Sequence, residues 1–100
     1  MSLFAVTYSY AAGSDTGRDE HRPLHLEFLK TLNEEGTLVV SGPTDADGPE
    51  PGALLIIRGE STETVNATME KDPFAQRGYV QRTVQSWDPK FGASRLDKSN

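Results

Sequence analysis

The run Ala53-Leu-Leu-Ile-Ile57 constrains this chain more than any other stretch. It is the longest unbroken apolar segment, and a strand built from it is hydrophobic on both faces. Such a strand belongs at the centre of a sheet, covered on both sides, so "ALLIIRG" is placed there. The run is far too short to cross a bilayer. The opening "MSLFAVTYSY" lacks the basic end and long apolar stretch of a signal peptide. A cytoplasmic location is the resulting expectation, with no membrane partner.

The partners of that central strand follow from the patterning on either side. In "LFAVTYSY" (3–10), Phe4, Val6, Tyr8 and Tyr10 alternate with smaller residues, the pattern of a strand with one strongly apolar face. "AAGSDTG" breaks the pattern as a loop. The spacing then predicts a helix starting near Asp19 to Arg22, because Pro23 is tolerable only in a first turn, where its missing N–H costs nothing. Leu24, Phe28, Leu29 and Leu32 make its inner stripe, and Gly36 caps it. "TLVVSGP" (37–43) is a second strand, joined to "ALLIIRG" through the acidic turn 44–51 as a hairpin. Ser61 or Thr62 caps a second helix with Val65 and Met69 inward, ending near Asp72 ahead of Pro73. "YVQRTVQSW" (79–87) is the fourth strand.

Strand, helix, strand, strand, helix, strand is the split βαββαβ order of an α+β, ferredoxin-like fold with a four-stranded antiparallel sheet. A single domain over residues 1–92 is expected, followed by a polar tail over 93–100. Both helices lie on one sheet face, and the other face keeps apolar residues that call for a partner. A homodimer with sheets packed face to face, or closed into a shared barrel, is predicted. The net charge of −5 and pI near 4.9 make the chain a poor ligand for nucleic acid. The absence of cysteine excludes disulfides, thiolate metal sites and cysteine nucleophiles.

Few residues carry chemistry. His25 lies on the flank of the inner stripe, where an imidazole either bonds a backbone carbonyl or reaches a pocket and moves protons. His21, one turn earlier, invites a shared metal, but no His-Glu-x-x-His pattern supports one and no metal site is expected. Asp72 stands at the negative pole of the second helix, unfavourable unless a histidine or another group pairs with it. The alternative is that Asp72-Pro73 only stops the helix. Ser41 offers a hydroxyl and Gly42 close backbone approach, or the two make an ordinary turn. Arg22 either receives an acidic group of a substrate or pairs with Asp19 or Glu20. Trp87 and Tyr79 read as core or dimer contacts. No phosphate-binding glycine loop, dinucleotide fingerprint or nucleophile elbow is present, and no cofactor is expected.

Arg22-Pro-Leu-His25, Ser41-Gly-Pro and Asp72-Pro-Phe, in this order and spacing, resemble the YciI-like (YCII-related) family over roughly residues 3 to 90. The resemblance implies a dimeric α+β barrel and a site built around a His–Asp pair, here His25 and Asp72, with a serine nearby at Ser41. One branch of that family eliminates hydrogen chloride from a chlorinated hydroxyquinol, and the fold is similar to that of muconolactone isomerases. It assigns no role to His21 or to the acidic turn 44–51. Two functions then stand as expectations. One is a cofactor-independent lyase or isomerase acting on a small cyclic or phenolic compound, with His25 and Asp72 catalytic and Ser41, Gly42 and Arg22 binding substrate. The other is a module that binds such a molecule without transforming it.

Overall fold

Side-chain alternation and helix capping build the same order of elements that the patterning predicts. The computed structural model describes residues 2–96. Strand β1 (Ser2–Tyr10) leads into helix α1 (Asp15–Glu34), then strands β2 (Leu38–Thr44) and β3 (Gly52–Gly59). Helix α2 (Thr62–Met69), the one-turn helix α3 (Pro73–Gln76), strand β4 (Val80–Trp87) and a last turn α4 (Ala93–Leu96) follow. The strands form one antiparallel sheet in the order β2-β3-β1-β4, with the apolar run of β3 inside it beside β1. This is the ferredoxin-like α+β arrangement.

The helix-side face holds the core. Phe4, Val6 and Tyr8 of β1 meet Leu55 and Ile57 of β3, with Leu32, Val65 and Met69 closing from the helices. Each such side chain taken fully out of water contributes about 1.5–3 kcal/mol. Ser61 caps α2, its side chain accepting from the Thr64 N–H at 3.1 Å. Gly36 follows α1 with φ +83°, a conformation other residues rarely hold. On the opposite face Val40, Leu54 and Trp87 are exposed, with exposed Thr7, Thr83 and Gln85 between them. Among the described residues no helix is long and apolar enough to cross a membrane.

Three local expectations need correction. Helix α1 begins at Asp15, a full turn before the predicted start, and Pro23 lies inside it. Pro23 is exposed, so the carbonyl its missing N–H leaves unpaired lies toward solvent, and the loss is small beside what the helix gains by packing. The early turns are held by Arg18, which bonds the Ser14 hydroxyl and the Asp15 carboxylate. Leu24 is 58% exposed, not inward; the inner stripe runs through His25, Phe28, Leu29 and Leu32. Asp72 does not sit at a negative helix pole. α2 ends at Met69, and Asp72 instead caps α3, its carboxylate accepting from the Phe74 N–H at 3.0 Å. Pro73 opens that short helix rather than merely stopping the previous one.

Candidate active site

Three elements bring one polar cluster together beneath the sheet. β1 supplies Tyr8, α1 supplies His25 and the start of α3 supplies Asp72. Asp72 is 0% exposed and accepts from three residues. Tyr8 Oη donates to Oδ2 at 2.7 Å, and the Phe74 N–H donates to Oδ1. His25 Nδ1 lies 2.8 Å from Oδ1 and 3.0 Å from Oδ2. An ionised carboxylate only accepts, so Nδ1 carries the hydrogen and donates. In the neutral ring Nε2 therefore keeps its lone pair.

The surroundings fix the ring further. Phe74 stacks flat on the imidazole, centroids 3.9 Å apart and planes 2° from parallel. Phe74 thus holds the carboxylate through its backbone and the imidazole through its ring. Nε2 has no hydrogen-bond partner among the described residues, and every fully buried side-chain nitrogen or oxygen there has one. Nε2 is therefore reached from the cavity that His25 lines. Burial raises the Tyr8 phenol well above its usual pKa, and the Asp72 charge and hydrogen bond add to this, with Arg82 opposing. Tyr8 stays a donor throughout the neutral range.

The cavity holds about 340 Å³, the size of a small-molecule pocket. Leu26, Leu29, Leu55 and Phe74 make much of its wall apolar, while Tyr10, Arg22 and Ser41 add polar groups. Ser41 reaches it through an irregularity in β2. Leu38 pairs with Ile57 and Val40 with Ile56, so Val39 is an extra residue, a β-bulge. The bulge lets Leu38 and Ser41, three residues apart, both face the helices. In an unbroken strand an inward Leu38 would send Ser41 to the open face.

The other residues marked from sequence divide clearly. Arg22 lines the cavity, and its Nη1 donates to Asp19 Oδ1 at 2.5 Å. Gly42 lines it too, and a Cβ placed there meets no atom within 4 Å. His21 stays apart. Its Nδ1–H donates to the Gly17 carbonyl at 2.9 Å and its ring meets Tyr79 edge-on. Among the described residues no group of three or more His, Cys, Asp or Glu could hold a metal. The acidic turn closes on itself, Asp45 Oδ2 accepting from the Glu50 N–H. Sequence reasoning missed Tyr8 and Phe74 as members of this cluster. The available signal was chemical, since a tyrosine at a core position of a strand needs a buried acceptor for its hydroxyl.

Comparison with known proteins also returns this antiparallel α+β fold. Residues 2–88 match the YCII-related domain, and the chain belongs to the YCII-related family. It is 38% identical over 86 residues to Protein YciI of Escherichia coli O6:H1, covering 79% of this chain and 88% of that protein. It is 40% identical over 67 residues to "Derivative of benzaldehyde biosynthesis cluster protein C" of Emericella nidulans, covering 59% of this chain and 68% of that one. Among solved structures it resembles the 5-chloro-2-hydroxyhydroquinone dehydrochlorinase of Burkholderia phenoliruptrix, determined in complex with 2,5-dihydroxybenzoquinone. The TM-score is 0.73 at 28% identity, over 88% of this chain and 95% of that one.

Proposed function

We propose that this protein is a small-molecule enzyme, a lyase or isomerase in which the His25–Asp72 pair moves protons on a small oxygenated ring compound. The observation that carries the reading is the split role of one imidazole: Nδ1 bonded to a buried carboxylate, Nε2 facing a cavity. Asp72 orients the ring and stabilises its charged form, and His25 Nε2 takes or returns the proton. The Ser41 hydroxyl contacts a substrate oxygen, and Arg22 attracts a phenolate. A positioned base of this kind contributes about 10²–10⁴-fold in rate.

The likeness to a dehydrochlorinase supports a specific reaction. On a chlorinated hydroxyquinol, one hydroxyl proton moves to the ring carbon bearing chlorine. A second hydroxyl proton passes to the base as chloride leaves with the carbon–chlorine electron pair. Two hydroxyls become two carbonyls, carbon–chlorine becomes carbon–hydrogen, and one HCl is lost with no outside oxidant. We further propose that two copies pair through the open sheet face, covering Val40, Leu54 and Trp87; light scattering on the purified protein reads this directly.

The test is chloride release and quinone absorbance with 5-chloro-2-hydroxyhydroquinone and a panel of related phenols and lactones. Turnover by the native chain, lost in His25→Ala, is expected. Full turnover in that variant would overturn the assigned base. Tight binding of the panel with no product would instead make the protein a binding or accessory module.

A further inference from the structure

We propose that Tyr8 is a positioning residue that sets how firmly Asp72 holds the His25 proton, by taking a share of the same carboxylate. The inference rests on the reading of His25 and Asp72 as the proton-carrying pair. Oδ2 accepts both the Tyr8 hydroxyl at 2.7 Å and His25 Nδ1 at 3.0 Å, so the two donors draw on one oxygen. Oδ1 is shared in the same way between Nδ1 and the Phe74 N–H. Each added donor disperses the negative charge that stabilises an imidazolium. The Phe74 contribution is backbone and common to any residue there. Tyr8 is the side chain through which the sequence adjusts the pair.

Its position suits that task. Tyr8 is 2% exposed, so its hydroxyl is not exchanged for water, and burial beside a carboxylate keeps it protonated. The other charged and titratable groups nearby are accounted for. Arg82 of β4 acts on Tyr8 but is bonded to Asn66 of α2 and to Glu70, the residue that follows α2. Tyr10 of β1 lines the cavity with its ring under the Arg18 guanidinium. Arg22 of α1 is paired with Asp19. β2 and β3 bring no titratable side chain to the cavity wall.

The experiment is the titration of His25, followed by NMR of the ring carbons and nitrogens without substrate, in the native chain, Tyr8→Phe, Asp72→Asn and the double variant. Tyr8→Phe should raise the His25 midpoint by about 0.5–1 unit, and the low-pH limb of kcat/KM should move with it. In the Asp72→Asn background the same change should move nothing, because the shared carboxylate is gone. Should Tyr8→Phe fail to fold, 3-fluorotyrosine at position 8, a stronger donor of the same shape, should lower the midpoint. An unmoved midpoint, or an equal shift in both backgrounds, overturns the proposal. A moved midpoint with full turnover in His25→Ala keeps Tyr8 as the tuner and removes the catalytic reading. An inactive His25→Ala with an unmoved midpoint does the reverse.

Discussion

His21 and His25 lie one turn apart on α1, with Pro23 between them. Both use Nδ1 in a hydrogen bond and both touch an aromatic ring. The acceptor differs. His21 finds the carbonyl of Gly17, a neutral group within its own helix. His25 finds a buried carboxylate from another element, itself held by two further donors. A neutral acceptor fixes a ring, whereas a carboxylate also stabilises its protonated form. Residue type and spacing are thus shared, and the tertiary partner separates a structural histidine from one suited to proton transfer.

The largest expected effect tests that contrast directly. His25→Ala should lower kcat/KM by about 10²–10⁴-fold, the contribution of a positioned general base. His21→Ala should stay within about threefold of the native chain, since His21 does not line the cavity. The check is steady-state kinetics on whichever panel compound is turned over. Equal losses in both variants would erase the distinction between the two turns.

Next in size is the buried side of the cluster. Tyr8→Phe leaves Oδ2 of a wholly buried carboxylate short of one donor, which should cost about 1–3 kcal/mol in urea unfolding at neutral pH. The sign with pH follows from the raised phenol. An unfolded tyrosine ionises near pH 10.0, while folded Tyr8 keeps its proton to higher pH. Its stabilisation is complete below about pH 10 and falls above it by about 1.4 kcal/mol per unit. The gap between native and Tyr8→Phe should therefore narrow as the pH rises from 10 toward 11.5. A gap that stays constant there would show that the phenol is not held protonated.

How far these features could be read in advance depends on the range of the interaction behind them. The Ser61 cap, the Gly36 stop and the central place of β3 are local or compositional, and they stand as expected. The start of α1 was not readable, because Gly17 and Pro23 look like breakers in isolation. What admits Gly17 is distant: a Cβ there would lie 2.5 Å from the Tyr79 ring. The helix face was ambiguous for the same reason. A stripe through Leu24 and one through His25 both satisfy a 3.6-residue period, and Asp72, 47 positions away, selects the second. The Val39 bulge was invisible because periodicity reads "LVVSGP" as one unbroken strand.

That bulge gives the third prediction, set by geometry on the cavity's far wall. Ser41→Ala should lower kcat/KM by about tenfold, the loss of one substrate hydrogen bond. Deleting Val39 should keep most of the activity, because Leu38, Val40 and Ser41 then pair with Ile57, Ile56 and Leu55 in an unbroken ladder and Ser41 still faces the cavity. Kinetics of both variants, with circular dichroism to verify folding, reads this out. A loss in the folded deletion as large as that of Ser41→Ala would mean that register alone does not aim Ser41.

The smallest effect asks whether the two histidine turns are independent at all. Tyr79 bridges them: it meets His21 at 5.7 Å and Phe74 at 6.2 Å between ring centroids, and Phe74 stacks on His25. In Gly17→Ala the new methyl overlaps the tip of the Tyr79 ring, which must swing aside. The helix gains about 1 kcal/mol in propensity from the same change, and the displaced ring contacts offset it. Net stability should stay within about 0.5 kcal/mol of the native chain. The His21 ring signals should move, because its edge-on neighbour has moved. Those of His25 should not, because Phe74 is anchored independently by its N–H on Asp72. If the His25 signals and kcat/KM shift together in Gly17→Ala, the aromatic chain carries displacement from one turn to the other, and the contrast between the two histidines is one of degree.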